Sequence, residues 1–182
     1  MALYNKIIFT GPVGAGKTTA IAALSDVPPV KTDELATDMT KERKAATTVA
    51  LDYGIMNLAG GEKLHLYGTP GQERFDFMWD ILTTGGIGLV LLIDNTRSDP
   101  FKDLAFFLGK FKSYIESTSM VIGVTQMDRS AAPTIADYNS HLKSLGYNPP
   151  VFEVDARREA DVTVLIQSLL FSIDPGLERR AE

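Results

Sequence analysis

The chain has 182 residues, 45% of them hydrophobic, which predicts one globular domain with a sizeable core. The net charge of -5 argues against nucleic acid as a partner, because nucleic-acid binding needs a concentrated basic surface. Cysteine is absent, which excludes disulfides, thiolate metal sites and thiol catalysis within these residues. Since no signal-peptide pattern and no apolar run of membrane-spanning length occurs, we expect a cytoplasmic protein without a direct membrane anchor.

A glycine-rich stretch between an apolar strand and a helix is the strongest local signal. It runs from Gly11 to Thr18 and fits the phosphate-loop pattern Gly-x-x-x-x-Gly-Lys-Ser/Thr. Its glycines let the backbone wrap a polyphosphate, and the helix that follows presents its positive end to the anion. Lys17 would add a charge near the β- and γ-phosphates, and Thr18 a hydroxyl ligand for Mg²⁺. The predicted phosphate-binding residues are Gly11, Val13, Gly14, Ala15, Gly16, Lys17, Thr18 and Thr19.

The next part of the chain predicts a long loop and then a hairpin. The loop follows Pro28-Pro29 and extends to about Ala46, with charge but little apolar periodicity. Alternating apolar residues from Val49 to Ile55 predict a strand, and a turn at 59–62 leads to a return strand that begins at Leu64. Residues 68–75 break this strand, and a short helix is predicted at 77–82.

Strands and helices alternate through the second half. Apolar runs predict strands at 87–93, 120–124 and 151–154, and helices are predicted at 100–117, 135–145 and 162–173. Asp99 should cap the first of these helices, with Pro100 at its first position. This order predicts a mostly parallel six-stranded sheet with one antiparallel strand, covered by helices on both faces. Residues 1–175 would form this domain, and 176–182 a flexible tail.

Five motifs, in order along nearly the whole chain, resemble those of the Ras-superfamily small GTPases. They are the phosphate loop at 11–18, Thr48 before the strand at 49–53, and the segments 70–75, 125–128 and 155–157. The chain is most similar to bacterial Ras-like proteins, such as the MglA-like GTPases and the predicted GTPases that accompany roadblock-fold partners. The resemblance implies a P-loop NTPase fold of three α/β/α layers, the small G-domain. It also implies a monomeric GTPase with regulatory and effector partners.

The resemblance implies a guanine site for GTP or GDP. Asp128 would accept hydrogen bonds from guanine N1 and N2, the stem of Gln126 would lie along the base, and the Ala156 N–H would meet guanine O6. Adenine offers a carboxylate no matching pair of donors, so a closed pocket would reject ATP. The other possible role for Asp128 is a helix or turn cap. The implied base-site residues are Thr125, Gln126, Asp128, Asp155, Ala156 and Arg157.

The resemblance also implies how GTP is hydrolysed. Thr48, or its neighbour Thr47, would close onto Mg²⁺ and the γ-phosphate, and Gln72 would orient the attacking water. The catalytic residues implied are therefore Gln72, Lys17 and Thr48, and the Mg²⁺ ligands are Thr18 and Thr48. Loss of the γ-phosphate would release both segments, and partner proteins would bind according to that change.

Two departures from the family pattern affect the expected Mg²⁺ affinity and the expected rate of GTP hydrolysis. Gly68 stands where the family usually has the aspartate of Asp-x-x-Gly, so a carboxylate that holds a Mg²⁺-bound water is missing. The expected loss of Mg²⁺ affinity is about 10- to 100-fold. MglA-like proteins also tend to lack that aspartate, and Asp94 is a candidate replacement. Val13 stands where Ras-type loops usually have glycine, and its branched side chain predicts slow hydrolysis.

Several alternatives remain open from the sequence. Arg43 or Lys44 could act as an arginine finger in cis, or form a solvated charge cluster. Trp79 could belong to a partner-binding surface or serve as a packing anchor. The predicted function is a guanine-nucleotide switch. The alternatives are a nucleotide-loaded binding module with negligible hydrolysis, and a P-loop ATPase or small-molecule kinase.

Overall fold

A computed structural model describes residues 5–31, 52–71 and 76–174 of the chain. Within these ranges the strands are β1 (Asn5–Thr10), β2 (Val30–Lys31), β3 (Asp52–Asn57), β4 (Lys63–Gly68), β5 (Gly86–Asp94), β6 (Ser119–Thr125) and β7 (Val151–Glu153). The helices are α1 (Lys17–Leu24), α2 (Phe77–Thr83), α3 (Pro100–Lys110), α4 (Lys112–Ser117), α5 (Ile135–Ser144) and α6 (Glu159–Ile173). All of these strands belong to one sheet, in the order β2-β3-β4-β1-β5-β6-β7.

One strand of the sheet runs against all the others. β3 is antiparallel to both of its neighbours, β2 and β4, whereas the remaining neighbours pair in parallel. The predicted fold class, three α/β/α layers around a mostly parallel sheet with one antiparallel strand, is therefore confirmed. The sheet of the described residues has one strand more than predicted, because the sequence pattern places Val30–Lys31 in the loop. A strand of this length cannot show an alternating pattern.

The two faces of the sheet carry separate cores. Successive residues of a strand point to opposite faces, so Ile7 and Phe9 pack with α1 and α6, whereas Ile8 packs with α2, α3 and α5. Ile7, Ile8 and Phe9 are fully buried. The strand that leads into the glycine-rich loop is therefore held from both sides, and this gives the loop a rigid base.

The helix predicted at 100–117 is divided in the structure. Its beginning is as predicted, because Oδ1 of Asp99 accepts a hydrogen bond from the backbone N–H of Lys102 at 3.0 Å. The helix breaks at Phe111, which separates α3 from α4. Gly109 weakens the helix just before the break, and the buried Phe111 ring stacks on Trp79 with 5.1 Å between centroids. Trp79 is only 3% exposed, so of its two predicted roles the structure supports the packing anchor.

Some predictions lie outside the described residues. They are most of the predicted long loop, 32–46, the first residues of the hairpin strand, 49–51, and the tail at 176–182. Among the residues that the structure does describe, none of the helices has the length and apolar character needed to cross a membrane.

Candidate nucleotide-binding site

The predicted motifs meet at the carboxyl ends of the central strands. There the loops after β1, β6 and β7 surround a cavity of about 630 Å³, a size typical of small-molecule sites. The cavity brings together part of the glycine-rich loop and every residue predicted for the base. The predicted residues that line it are Gly14, Ala15, Gly16, Thr19, Thr125, Gln126, Asp128, Asp155, Ala156 and Arg157.

The glycine-rich loop has a backbone shape that requires glycine at particular positions. Gly14 has a φ of 84° and Gly16 a φ of 97°, both in the left-handed region that other residues avoid. Gly16 is also the residue from which α1 begins. The loop therefore folds over the first turn of α1, and the unpaired N–H groups of that turn face the place where an anion would bind.

Lys17 is the buried cation of the site. Its side chain is 8% exposed, and its Nζ donates to the carbonyl oxygens of Gly11 at 2.7 Å and Pro12 at 2.8 Å. An ammonium has three donors, so one remains for a phosphate oxygen. Burial lowers the pKa of Lys17 to about 8, and the nearby Asp52 carboxylate opposes that shift. A buried cation with a lowered pKa gains stability when an anion binds beside it.

The loop after β6 is tied to the glycine-rich loop. Oγ1 of the buried Thr125 donates to the carbonyl oxygen of Ala15 at 3.0 Å, and Nε2 of Gln126 donates to that of Gly14 at 3.3 Å. Gln126 has a φ of 60°, which is strained for a residue other than glycine. Such strain persists where surrounding contacts fix the backbone, and it is common at functional sites. The loop after β6, residues 126–134, is called the base loop below after its predicted role; it is thus joined directly to the glycine-rich loop.

Asp128 presents a carboxylate to the cavity. The residue is exposed, and its carboxylate accepts no hydrogen bond from any of the residues described at 5–31, 52–71 and 76–174. The alternative role of Asp128 as a helix or turn cap is therefore not supported there. The negative charge of Asp128 helps to raise the pKa of Arg157, although the larger cause is Asp155.

The loop after β7 contains an ion pair. Oδ1 and Oδ2 of Asp155 accept hydrogen bonds from Nε and an Nη of Arg157 at 2.9 and 2.7 Å. These bonds lower the pKa of Asp155 to about 2. Oδ2 of Asp161 accepts from the backbone N–H of Asp155 at 3.0 Å. Ala156, which lies between the two paired residues, is 8% exposed at the cavity wall.

A buried polar pair that no sequence motif indicates supports the base loop. Nδ2 of Asn95 donates to the carbonyl oxygens of Ser130 at 2.7 Å and Pro133 at 3.1 Å. Oδ1 of Asn95 accepts from the hydroxyl of Tyr138 at 2.8 Å. Both side chains are almost completely buried. The one local indication of this pair is that Asn95, a polar residue, directly follows the apolar strand β5. Its partner Tyr138 lies 43 residues further along the chain, so the sequence pattern does not connect the two.

The segment after β4 lies against the glycine-rich loop. A Cβ added to Gly71 would come within 2.7 Å of the backbone nitrogen of Val13 and 2.8 Å of Nζ of Lys17. Only glycine allows this approach without a shift. The preceding residue is also anchored, because Nε1 of Trp79 donates to the carbonyl oxygen of Pro70 at 3.2 Å. Val13 itself keeps 57% of its side chain exposed at this edge.

Several predicted site residues lie outside the described residues. They are the predicted catalytic and switch residues Gln72 and Thr48, the alternative Thr47, and the candidate finger residues Arg43 and Lys44. Their positions remain predictions.

The metal-binding capacity of the site rests on oxygen donors. Within the described ranges no group of three histidine, aspartate or glutamate side chains is arranged to hold a metal ion. Mg²⁺ bound to a nucleotide needs fewer protein ligands, because phosphates and waters supply most of its ligands and the protein supplies one or two oxygens. The exposed Thr18 fits that need, and its Oγ1 donates to Oδ2 of Asp52 at 2.5 Å. Asp94, the candidate replacement carboxylate, accepts bonds at Oδ1 from the backbone N–H and hydroxyl of Thr96.

The fold and this geometry define a P-loop nucleotide-binding protein of the α/β class. A family model described as "Conserved hypothetical ATP binding protein" matches residues 28–163, and the chain belongs to that family. The matched region starts after the glycine-rich loop and includes the base loop.

The chain is also similar to Ras-related proteins over nearly its whole length. It is 27% identical to Ras-related protein Rab-18-B of Danio rerio over 94% of this chain and 81% of the relative. It is 23% identical to Ras-related protein Rab-27A of Sus scrofa over 96% of this chain and 80% of the relative. For Ras-related protein RABC2a of Arabidopsis thaliana the identity is 25%, over 92% and 77%. These similarities support a relationship to the Ras superfamily.

Proposed function

We propose that this protein is a guanine-nucleotide switch that binds GTP and GDP with Mg²⁺ and hydrolyses GTP slowly. The observation that carries the proposal is the Asp128 carboxylate, which lies in the cavity with no hydrogen-bond donor among the described residues. Guanine supplies two adjacent donors at N1 and N2, which match the two oxygens of a carboxylate. The neighbouring Ala156 N–H would meet guanine O6, and the stem of Gln126 would lie along the base.

The phosphate end supports a triphosphate ligand. The free donor of Lys17 and the N–H groups at the start of α1 would bind phosphate oxygens. A bound Mg²⁺ would neutralise charge on the β- and γ-phosphates. Thr18 and Thr48 would hold that ion, and Gln72 would orient the water that attacks the γ-phosphate. The Gln72 and Thr48 segments would respond to loss of the γ-phosphate, which makes the protein a switch.

An adenine nucleotide is the second candidate ligand, because the matching family is described as ATP binding. An ATPase or kinase would need a base site that favours adenine, which has a single amino group on its six-membered ring and no N1 proton. The Asp128 carboxylate would then lack the pair of hydrogen-bond donors that guanine supplies. The other alternative, a nucleotide-loaded binding module without appreciable hydrolysis, is supported by Val13 and Gly68.

The finer assignments follow from the resemblance. We propose a bacterial Ras-like protein that acts in the cytoplasm as a monomeric domain and signals through regulatory and effector proteins, of which a roadblock-fold protein is one candidate. The support is Gly68, because MglA-like proteins also tend to lack the aspartate that the family usually has at this position. Co-purification of a roadblock-fold partner in the GTP state but not in the GDP state would test this assignment.

The hydrolysis rate tests the proposed activity. We expect single-turnover GTP hydrolysis below about 10⁻² s⁻¹, the rate of a GTPase that has its arginine in cis. Val13→Gly should raise that rate at least about tenfold, which corresponds to lowering the activation free energy by ~1.4 kcal/mol. The physical reason is that Val13 lies beside Gly71. Its branched side chain would take up space that Gln72, the next residue in the sequence, needs in order to orient the attacking water.

The matched control is Val27→Gly, which makes the same change at an exposed valine after α1. It should leave the rate unaltered. Faster hydrolysis by the unmodified protein, or hydrolysis of ATP in preference to GTP, would contradict the proposal.

A further inference from the structure

The space above Gly68 is filled by a carboxylate from the neighbouring strand. Asp52 of β3 is paired directly with Gly68 of β4. Residues directly opposite each other on antiparallel strands project their side chains to the same face. A Cβ added to Gly68 would lie 3.0 Å from Cβ of Asp52 and 3.2 Å from its Oδ2. The position that the Ras-superfamily pattern gives to an aspartate on β4 is thus occupied by an aspartate on β3.

The same carboxylate contacts the phosphate loop. Oγ1 of Thr18 donates to Oδ2 of Asp52 at 2.5 Å, which is in the range of a hydrogen bond to an ionised oxygen. A threonine hydroxyl has one proton and two lone pairs. Because the proton is directed to Asp52, the lone pairs of Thr18 remain for a cation. A carboxylate has about four acceptor positions, so Asp52 could also accept from metal-bound waters.

The charges around this contact are complementary to a metal–phosphate complex. The Asp52 carboxylate is close enough to raise the pKa of the buried Lys17, although burial has the larger and opposite effect. Lys17 is thus the cation for the phosphates, and Asp52 the anion beside the hydroxyl ligand. The other carboxylate considered, Asp94, has Oδ1 bonded to Thr96 and lies at the end of β5.

We propose that Asp52 is the carboxylate that orients Thr18 and holds the hydration shell of Mg²⁺ in the nucleotide complex, in place of the aspartate absent at position 68. Glycine at position 68 leaves the room that the Asp52 side chain needs. This inference rests on the proposed binding of a Mg²⁺–nucleotide complex.

The test is the Mg²⁺ dependence of nucleotide affinity in Asp52→Asn, a variant that keeps the size of the side chain and removes its charge. The dissociation constants of GTP and GDP are measured by calorimetry over a series of free Mg²⁺ concentrations, and again in EDTA. The Mg²⁺ midpoint is the free Mg²⁺ concentration that gives half of the Mg²⁺-dependent gain in nucleotide affinity. We expect it to rise about 10- to 100-fold in Asp52→Asn, as for other residues that orient metal ligands. The affinity in EDTA should be unchanged or slightly higher, since Asp52 repels phosphate.

The control is Asp26→Asn, which removes a charge at the opposite end of β3, where Oδ2 of Asp26 accepts from the backbone N–H of Asn57. It should leave the Mg²⁺ dependence unaltered. An unchanged Mg²⁺ midpoint in Asp52→Asn would overturn the inference, and so would an equal loss of affinity with and without Mg²⁺, which indicates a structural role. If the unmodified protein binds no nucleotide, the proposed function fails as well.

A double substitution tests whether the two strand positions are equivalent. Asp52→Gly combined with Gly68→Asp returns the carboxylate to β4. Of the three atoms nearest to the new Cβ, two belong to the Asp52 side chain that is removed, and the third is the flexible tip of Ile21 at 3.1 Å. We expect the Mg²⁺ midpoint of the double variant to be lower than that of Asp52→Gly alone. A folded double variant with the same Mg²⁺ midpoint as Asp52→Gly would contradict the claim that an aspartate at position 68 can replace Asp52.

Discussion

Replacement of Asp128 by asparagine is expected to change the preferred base from guanine to xanthine. The carboxylate has two acceptors for guanine N1 and N2, whereas an amide has one acceptor and two donors. We expect the affinity for GTP to fall by about 10²- to 10³-fold, the loss of roughly 3–4 kcal/mol that follows removal of a charged partner. Xanthine carries an N1 proton beside a carbonyl at C2, which matches the amide, so the affinity for XTP should rise.

Competition binding of GTP, XTP and ATP to Asp128→Asn measures this change. The matched control is Asp80→Asn, the same substitution at an exposed position of α2, which should bind GTP as the unmodified protein does. Retention of full GTP affinity by Asp128→Asn would show that the base does not contact position 128.

Substitution of Lys17 by methionine should abolish most triphosphate binding. Methionine keeps an unbranched apolar stem but removes the donor available to phosphate and the two bonds to Gly11 and Pro12. Hydrogen bonds to charged groups contribute about 1.5–3 kcal/mol each, and only the bond to phosphate is made on binding, so we expect the affinity for GTP to fall by about 10- to 10²-fold.

Calorimetric titration with GTP checks the Lys17 prediction, with thermal unfolding of the nucleotide-free protein to confirm the fold. Lys102→Met, the same change at an exposed residue of α3, is the control and should bind normally. Binding by Lys17→Met within about threefold of the control would place the phosphates elsewhere.

The main elements could be predicted from the sequence because their signals are local. Apolar runs of strand length alternate with segments of helical periodicity. The glycine-rich pattern also predicts a strand before it and a helix after it. The cap at Asp99 is likewise a local pattern, and the structure has it. The break at Phe111 was not predicted, because the apolar residues keep their helical spacing across it; the Trp79 ring that stacks on Phe111 belongs to a different helix.

The contacts that organise the site are long-range, and the sequence pattern does not show them. Asp52 meets Thr18 across 34 residues, and its relation to Gly68 depends on the strand register of the hairpin. Asn95 likewise supports the base loop through Tyr138, a pairing that no motif predicts. The positions of Thr48 and Gln72 remain predictions from the motifs alone.

The measurement that tests the central claim most directly is the nucleotide selectivity of the purified, nucleotide-free protein in Mg²⁺. Trp79 is the single tryptophan of the chain, and its indole N–H binds the Pro70 carbonyl next to the phosphate loop, so its fluorescence should respond to nucleotide. Calorimetry gives the affinities independently. We predict that GTP and GDP bind at least about 10³-fold more tightly than ATP, because ATP leaves Asp128 unpaired. Preference for ATP, or the absence of any nucleotide binding, would contradict the proposal.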